Sequence, residues 1–261
     1  MYLIDTHVHL HIAAFDADRD AALLRAREAG VRRLINVGYD LPSSRASIAL
    51  SAEDAEIYAT VGIQPHYAAE TGPEEMAQLE ALLGEPRVVA LGEIGLDYHH
   101  DRAPRPSQRE LFEAQLEVAR RRELPVVVHS RDAHADTVAV LAAAQHPRPV
   151  VMHSFSGDWS YAEACLALGT FLSFSGPLTF PKAHELHEVA VRVPLERVLV
   201  ETDCPYLSPH PLRGRRNEPA RVRLVAEQLA RLRGVPMDEL VDVLWDNACR
   251  VFGLPPRPAV D

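Results

Sequence analysis

Tyr2-Leu3-Ile4-Asp5-Thr6-His7-Val8-His9 begins the chain as a strand-like run with two histidines two positions apart at its end. Residues i and i+2 of a β-strand project from one face, so this spacing offers both imidazoles to a single point. Working outward, the design recurs four more times as an apolar run that ends in a metal-binding side chain. Val88 to Gly92 leads into Glu93, Val126-Val127-Val128 into His129, Val150-Val151-Met152 into His153, and Val198-Leu199-Val200 into Glu201-Thr202-Asp203. One such ending is ordinarily a hydrogen-bonded turn residue. Five along one chain point to a hydrolytic metal centre.

The runs between these endings supply the architecture. Strands are predicted at about Tyr2-Asp5, Arg33-Val37, Ile57-Val61, Val88-Gly92, Val126-His129, Val150-His153, Thr170-Phe174 and Val198-Glu201. Amphipathic stretches alternate with them, the clearest being Gln108 to Arg122, where Leu111, Phe112, Gln115, Leu116 and Ala119 recur at helical spacing. Eight strands alternating with helices predict an α/β fold of the (β/α)8 TIM-like barrel type. A doubly wound sheet is the alternative, and it would not gather the first and last strands at one site. Glu93 to His129 and His129 to His153 each fit one β/α unit, and His153 to Asp203 fits two. The candidates thus fall on strands 1, 4, 5, 6 and 8, at the carboxyl-terminal rim where barrels keep their active sites.

Helices are also predicted from Ala220 to Leu232 and, as an additional C-terminal element, from Met237 to Phe252. The whole reads as one metal-dependent hydrolase barrel domain over residues 1–254. A Pro-rich tail follows over 255–261, in which Pro255-Pro256-Arg257-Pro258 cannot continue a helix and is expected to be a loose end. No run of 18 apolar residues predicts a membrane span, and a ligand candidate at residue 7 leaves no room for a cleavable signal peptide. Cys165, Cys204 and Cys249 are odd in number and far apart, which predicts a reducing cytoplasm and neither a disulfide framework nor a thiolate zinc site. No obligate protein partner is indicated.

Histidine and carboxylate ligands suit Mg2+, Mn2+, Zn2+ or iron, and His7, His9, Glu93, His129, His153 and Asp203 are too many for one tetrahedral ion. Two divalent ions sharing a bridging carboxylate use them naturally. A carboxylated lysine is the other common bridge, but the single lysine, Lys182, stands in a predicted helix away from any strand end. Glu93 is left to bridge.

Six segments together resemble the TatD family of metal-dependent deoxyribonucleases, within the amidohydrolase superfamily. They are Asp5-Thr6-His7-Val8-His9, Gly92-Glu93-Ile94-Gly95-Leu96-Asp97-Tyr98, His129-Ser130-Arg131, His153-Ser154-Phe155-Ser156-Gly157, Glu201-Thr202-Asp203-Cys204-Pro205-Tyr206-Leu207 and Arg213-Gly214-Arg215-Arg216-Asn217-Glu218-Pro219. The resemblance runs from Asp5 to about Leu254. It implies a distorted barrel, two divalent ions and hydrolysis of phosphodiester bonds in DNA, often as a 3′ to 5′ exonuclease. Gln64 stands where several relatives have His, whereas His66 is retained as a substrate contact. Arg215 stands where relatives often have Lys, which keeps the charge.

On this reading His7, His9 and Glu93 hold one ion, and Glu93, His129 and His153 the other. Asp203 lies near the first and acts as general base on the attacking water, so Glu93 and Asp203 are the catalytic carboxylates. Tyr98 either touches a substrate phosphate or caps the rim, and Arg131 either clamps phosphate or forms a structural ion pair. Asn217 and Glu218 are expected to cap the helix that starts near Pro219. His99, His100 and the other histidines off the strand-end pattern are expected at the surface.

A net charge of −10 argues against a nucleic-acid partner by bulk attraction. Arg213, Arg215 and Arg216, clustered just after the last candidate ligand, read as a solvated turn from charge alone and as phosphate contacts beside a metal centre. The rival function is a deacylase that cleaves esters or amides of a small molecule or an aminoacyl-tRNA, since the same hydroxide attacks a carbonyl. A non-catalytic metal-binding scaffold would lack a water-activating group, and Asp203 is present.

Overall fold

The computed structural model describes residues 2–257. Eight parallel strands pair in sequence order: β1 (Leu3–Val8), β2 (Val31–Val37), β3 (Ile57–Val61), β4 (Val88–Asp97), β5 (Val126–Arg131), β6 (Val150–Met152), β7 (Phe171–Phe174) and β8 (Val198–Val200). The helices between them are α1 (Arg19–Glu28), α2 (Leu41–Glu53), α3 (Pro73–Leu82), α4 (Arg105–Arg122), α5 (His134–Ala144), α6 (Trp159–Ala167) and α7 (His184–Arg192), with α8 (Val222–Arg233) and α9 (Met237–Phe252) after β8. This is the expected TIM-like barrel with its extra C-terminal helix.

Near-continuous apolar runs make these strands because both faces are buried, as parallel sheets require. Alternate residues turn outward to the helices, as Leu34, Leu91, Val128 and Leu172 do, and join Leu116, Val140 and Leu229 in the outer core. The others point inward: Ile4, Ile35, Ala90, Val127, Val151, Phe171 and Leu199 pack with Trp245, Ala248, Val251 and Phe252 of α9. Helix α9 therefore plugs the amino-terminal end of the barrel and leaves the carboxyl-terminal end for the site. Arg33 stacks over Trp245, 4.6 Å from its ring centre.

The barrel is distorted at one seam. Strands β1 and β8 share no regular ladder; Val8 and Cys204 form an isolated parallel bridge. Asp203 N donates to His7 O (2.9 Å) and His9 N to Cys204 O (2.9 Å). Side chains complete the closure: Thr6 Oγ1 donates to Val200 O (3.0 Å), and the buried Asp5 accepts from Thr202 N (2.9 Å) and Thr202 Oγ1 (2.6 Å).

Several local expectations are corrected. Strand β4 continues through Glu93 to Asp97 and β5 to Arg131, because the polar residues that seemed to end each run point into the barrel mouth and stay paired. Lys182 lies in a turn before α7, not in a helix. Pro255 and Pro256 are not loose: their carbonyls accept from Arg33, and Arg257 pairs with Asp242. The rest of the Pro-rich tail, residues 258–261, lies outside the described residues. Glu218 makes no helix-capping bond and instead pairs with Arg25, whereas Asn217 Nδ2 donates to Thr202 O and Tyr206 O and straps down the loop after β8.

Candidate metal centre

The side chains expected to bind metal converge at the carboxyl-terminal mouth. His7 and His9 do share a face, with their Nε2 atoms 3.2 Å apart. Glu93 lies among the histidines: its Oε2 is 3.6 Å from His7 Nε2, and its Oε1 is 3.1 Å from His129 Nδ1 and 3.3 Å from His153 Nε2. Asp203 Oδ1 is 3.4 Å from His9 Nε2 and 3.8 Å from His7 Nε2. His7, His9 and Glu93 form one cluster that could hold a cation, Glu93, His129 and His153 a second, and His7, His153 and Asp203 a third overlapping both.

Backbone geometry permits this closeness. Gly95 sits at φ 135°, where a Cβ would come within 2.0 Å of His129 O, so only glycine lets β4 approach β5 at the level of Glu93 and His129. Asp203 takes a left-handed φ of 55°, which aspartate tolerates better than most residues, and its N–H bond to His7 O fixes the turn.

The donor set fits divalent cations, as the outer nitrogens of the rings show. His9 Nδ1 donates to Val37 O at 2.9 Å, His153 Nδ1 to Glu201 Oε1 at 2.9 Å, and His129 Nε2 to Asp97 Oδ2 at 3.1 Å. Each bond places the proton of a neutral ring on the outside. The lone pairs of His9 Nε2, His153 Nε2 and His129 Nδ1 then face inward toward two carboxylates, an arrangement that repels itself without a cation. His7 is the exception, with Nδ1 buried and without a hydrogen-bond partner among the described residues; its ring stacks on His153 at 3.9 Å between centres.

Electrostatics follow the same pattern. Without a cation the inward nitrogens take up protons instead: burial pushes the Glu93 carboxyl up, but protonated His153 opposite and the hydrogen bonds that protonated His129, His153 and His7 then donate hold it well below the usual range. Burial disfavours protonated His153, yet Glu93 and Glu201 overcome it and hold the ring well above an ordinary histidine. A proton and a cation thus compete for the inward face of His153. Asp203 is likewise lowered: burial opposes its charge, and His9, His153 and His7 favour it more strongly.

Two lobes of one cleft, of about 460 and 450 Å³, meet over His129, His153 and Asp203. Arg131 lines both lobes and makes no ion pair among the described residues, so its guanidinium faces the cleft uncommitted. His66 lines the first lobe, with Nε2 3.1 Å from Asp97 Oδ2. Tyr98 does not reach the cleft; its hydroxyl donates to Asp136 at 2.6 Å, and burial with that bond pushes its pKa to about 12. The arginine loop is also turned away. Arg216 donates to Asp18 Oδ1 (2.6 Å) and Oδ2 (2.8 Å), holding that carboxyl at about 2, and Arg213 stacks over Phe180. Arg213, Arg215 and Arg216 line neither lobe.

Other residues join the site that strand endings alone did not single out. Asp97 and Glu201 are the outer partners of His129 and His153. Arg102, His100, Tyr39, Tyr67 and Tyr206 line the first lobe, and His100 thereby leaves the set of plain surface histidines. Each belongs to a loop, a strand end or, for Tyr67, a single 3-10 turn, but only the fold tells which ring or cleft it faces.

An eight-stranded barrel with inward-facing imidazoles and carboxylates at its carboxyl rim defines a metal-dependent hydrolase. The family described as TatD related DNase matches residues 4–253, so the chain belongs to the TatD family of metal-dependent hydrolases. It is 39% identical over 252 residues to the Bacillus subtilis uncharacterized metal-dependent hydrolase YabD, covering 96% of this chain and 98% of that one. It is 35% identical over 259 residues to a protein of Erwinia amylovora named 3'-5' ssDNA/RNA exonuclease TatD, covering 97% and 100%. The crystal structure of the Escherichia coli TatD homologue YjjV superposes with a TM-score of 0.93 at 33% identity, over 97% of this chain and 98% of that chain. Among the described residues no helix is long and apolar enough to cross a membrane.

Proposed function

We propose that this chain hydrolyses phosphodiester bonds of single-stranded nucleic acid, DNA foremost, as a 3′ to 5′ exonuclease that uses two divalent ions. The observation that carries the reading is the uncommitted guanidinium of Arg131 directly beside the donor set, at the junction of two lobes. A polymer can lie across such a junction with one unit in each lobe. Arg102 adds a second cation in the first lobe. Tyr39, Tyr67 and Tyr206 line that lobe with no hydrogen bond from their hydroxyls among the described residues, and Tyr206 is 53% exposed. Aromatic rings at a cleft rim suit unstacked bases, which supports a single strand. The Erwinia relative's name points the same way.

Divalent ions bound here, Mg2+, Mn2+ or Zn2+, would acidify a water toward a pKa of about 7 and draw charge from the phosphoryl oxygens. The chain's residues do the rest. His7, His9 and Glu93 would hold one ion and Glu93, His129 and His153 the other, with the Glu93 carboxylate common to both donor sets. Asp203, kept ionised by His9, orients the attacking water and accepts its proton. Arg131 and His66 orient the phosphate, with Arg213 and Arg215 contributing long-range attraction.

Digestion of end-labelled single-stranded and duplex oligonucleotides, alongside model esters, across Mg2+, Mn2+ and Zn2+ tests the reading. Stepwise loss from the 3′ end of single strands is the expected result. Cleavage of esters with intact oligonucleotides would establish the deacylase instead.

A further inference from the structure

A fourth cluster shares the cleft but stands outside the Glu93 centre. Asp97, buried at the end of β4, accepts at Oδ1 from the backbone N–H groups of His99 (3.0 Å) and His100 (2.8 Å). Its Oδ2 faces three imidazole nitrogens: His100 Nδ1 at 2.8 Å, His66 Nε2 at 3.1 Å and His129 Nε2 at 3.1 Å. A carboxylate offers about four lone-pair sites, so five N–H donors exceed what it can accept. The two backbone groups are fixed donors, and His129 brings its outer proton because Nδ1 faces Glu93. The one surplus donor must be His66 or His100, so at least one of these rings faces Asp97 with a lone pair.

A lone pair beside a carboxylate oxygen calls for a cation between them, and a cation placed there accepts the lone pairs of both rings and removes the crowding altogether. We propose that His66 Nε2, Asp97 Oδ2 and His100 Nδ1 form a further divalent-cation site, distinct from the two at Glu93. The three atoms lie within 4.8 Å of one another. Two imidazoles and one carboxylate form an open donor set of the kind that holds zinc or another first-row divalent ion with positions to spare.

The spare positions face the cleft, because Asp97 is closed off while the His66 and His100 side chains are 16% and 39% exposed. Arg102 and Arg131 line the same lobe, so the ligand completing the coordination is an oxyanion. In the nuclease reading it is the phosphate next to the one being cleaved. His66 then reaches substrate through the cation it holds. Asp97 also links this site to the Glu93 centre, since it holds the outer nitrogen of His129.

Equilibrium dialysis of the intact chain against Mn2+, and separately Zn2+, with metal counted by mass spectrometry, tests the proposal without reference to activity. The wild type should saturate at three equivalents, and His100→Ala and His66→Gln at two each. Circular dichroism verifies folding, and His100, partly exposed in a turn, can lose its ring without opening the core. Saturation of the wild type at two equivalents would overturn the proposal and make Asp97 a hydrogen-bond hub. So would three equivalents in both variants. Glu93→Ala separates this site from the main centre: losses on Glu93→Ala but not on His100→Ala reject the added site alone, and the reverse pattern rejects the Glu93 pair alone.

Discussion

Glu201 Oε1 accepts a hydrogen bond from His153 Nδ1 at 2.9 Å, on the opposite edge of the ring from Glu93. Ser154 N (2.8 Å) and Ser173 Oγ (2.5 Å) hold the same carboxylate, so neither of its oxygens is free to move. Glu201 thereby sets both the tautomer and the aim of His153 without touching the mouth.

Glu201→Gln should accordingly weaken metal retention by about 10–100-fold while the chain stays folded. Competition with a chromogenic chelator measures it. Unchanged affinity would mean that the inward nitrogen of His153 does not bind the ion.

Glu93→Ala removes the carboxylate that three histidines face. Activity should fall by at least about 10³-fold, the equivalent of several kcal/mol of lost charge stabilisation, and metal content should fall with it. Full metal stoichiometry with normal turnover would eliminate a shared carboxylate bridge.

Asp203→Asn keeps the shape of the side chain but cannot take a proton. We expect metal largely retained and the single-turnover rate reduced by about 10²–10⁴-fold, the range for a positioned general base. A rate near wild type would move proton transfer to another group.

Arg102→Gln together with Arg131→Gln should weaken binding to single-stranded oligonucleotides and reduce the slope of log K against log salt by about 1.4, at roughly 0.7 for each phosphate no longer neutralised. Arg216→Gln should leave both affinity and slope alone, because that guanidinium is held by Asp18. Fluorescence anisotropy across a salt series distinguishes them, and an Arg216 effect equal to that of the pair would bring the loop back to the cleft.

Stability should respond to acid through His146, far from the centre. Burial lowers its pKa below that of an ordinary histidine, more than its bond to Leu124 O raises it. Between the ordinary value of about 6.5 and the lowered one, the unfolded chain binds a proton that the folded chain refuses, so stability drops as pH falls through that window. His146→Gln should flatten this limb of the curve in urea unfolding measured from pH 7 to 4. An equally steep limb in the variant would assign the loss elsewhere.

The barrel was legible because each strand is an apolar run, and the main donor set because its residue types stand at the ends of those runs. Strand ends were misjudged at Glu93 and His129, where polar residues continue the strand yet stay buried by pairing with one another. Asp97 and Glu201 carried no role in the sequence because a carboxylate's work depends on which ring it meets across neighbouring strands. The arginine loop misled for the converse reason. Proximity to Asp203 in sequence did not bring Arg216 to the mouth, since Asp18, just ahead of α1, lies nearer in space.

The seam between Val8 and Cys204 also sets when the centre comes into being. His7 and His9 leave the ribosome long before Asp203, from which nearly the whole barrel separates them. Until β8 docks against β1, the early histidines have neither Asp203 beside them nor a closed mouth around them. The full donor set, Asp203 included, therefore exists only once the barrel closes.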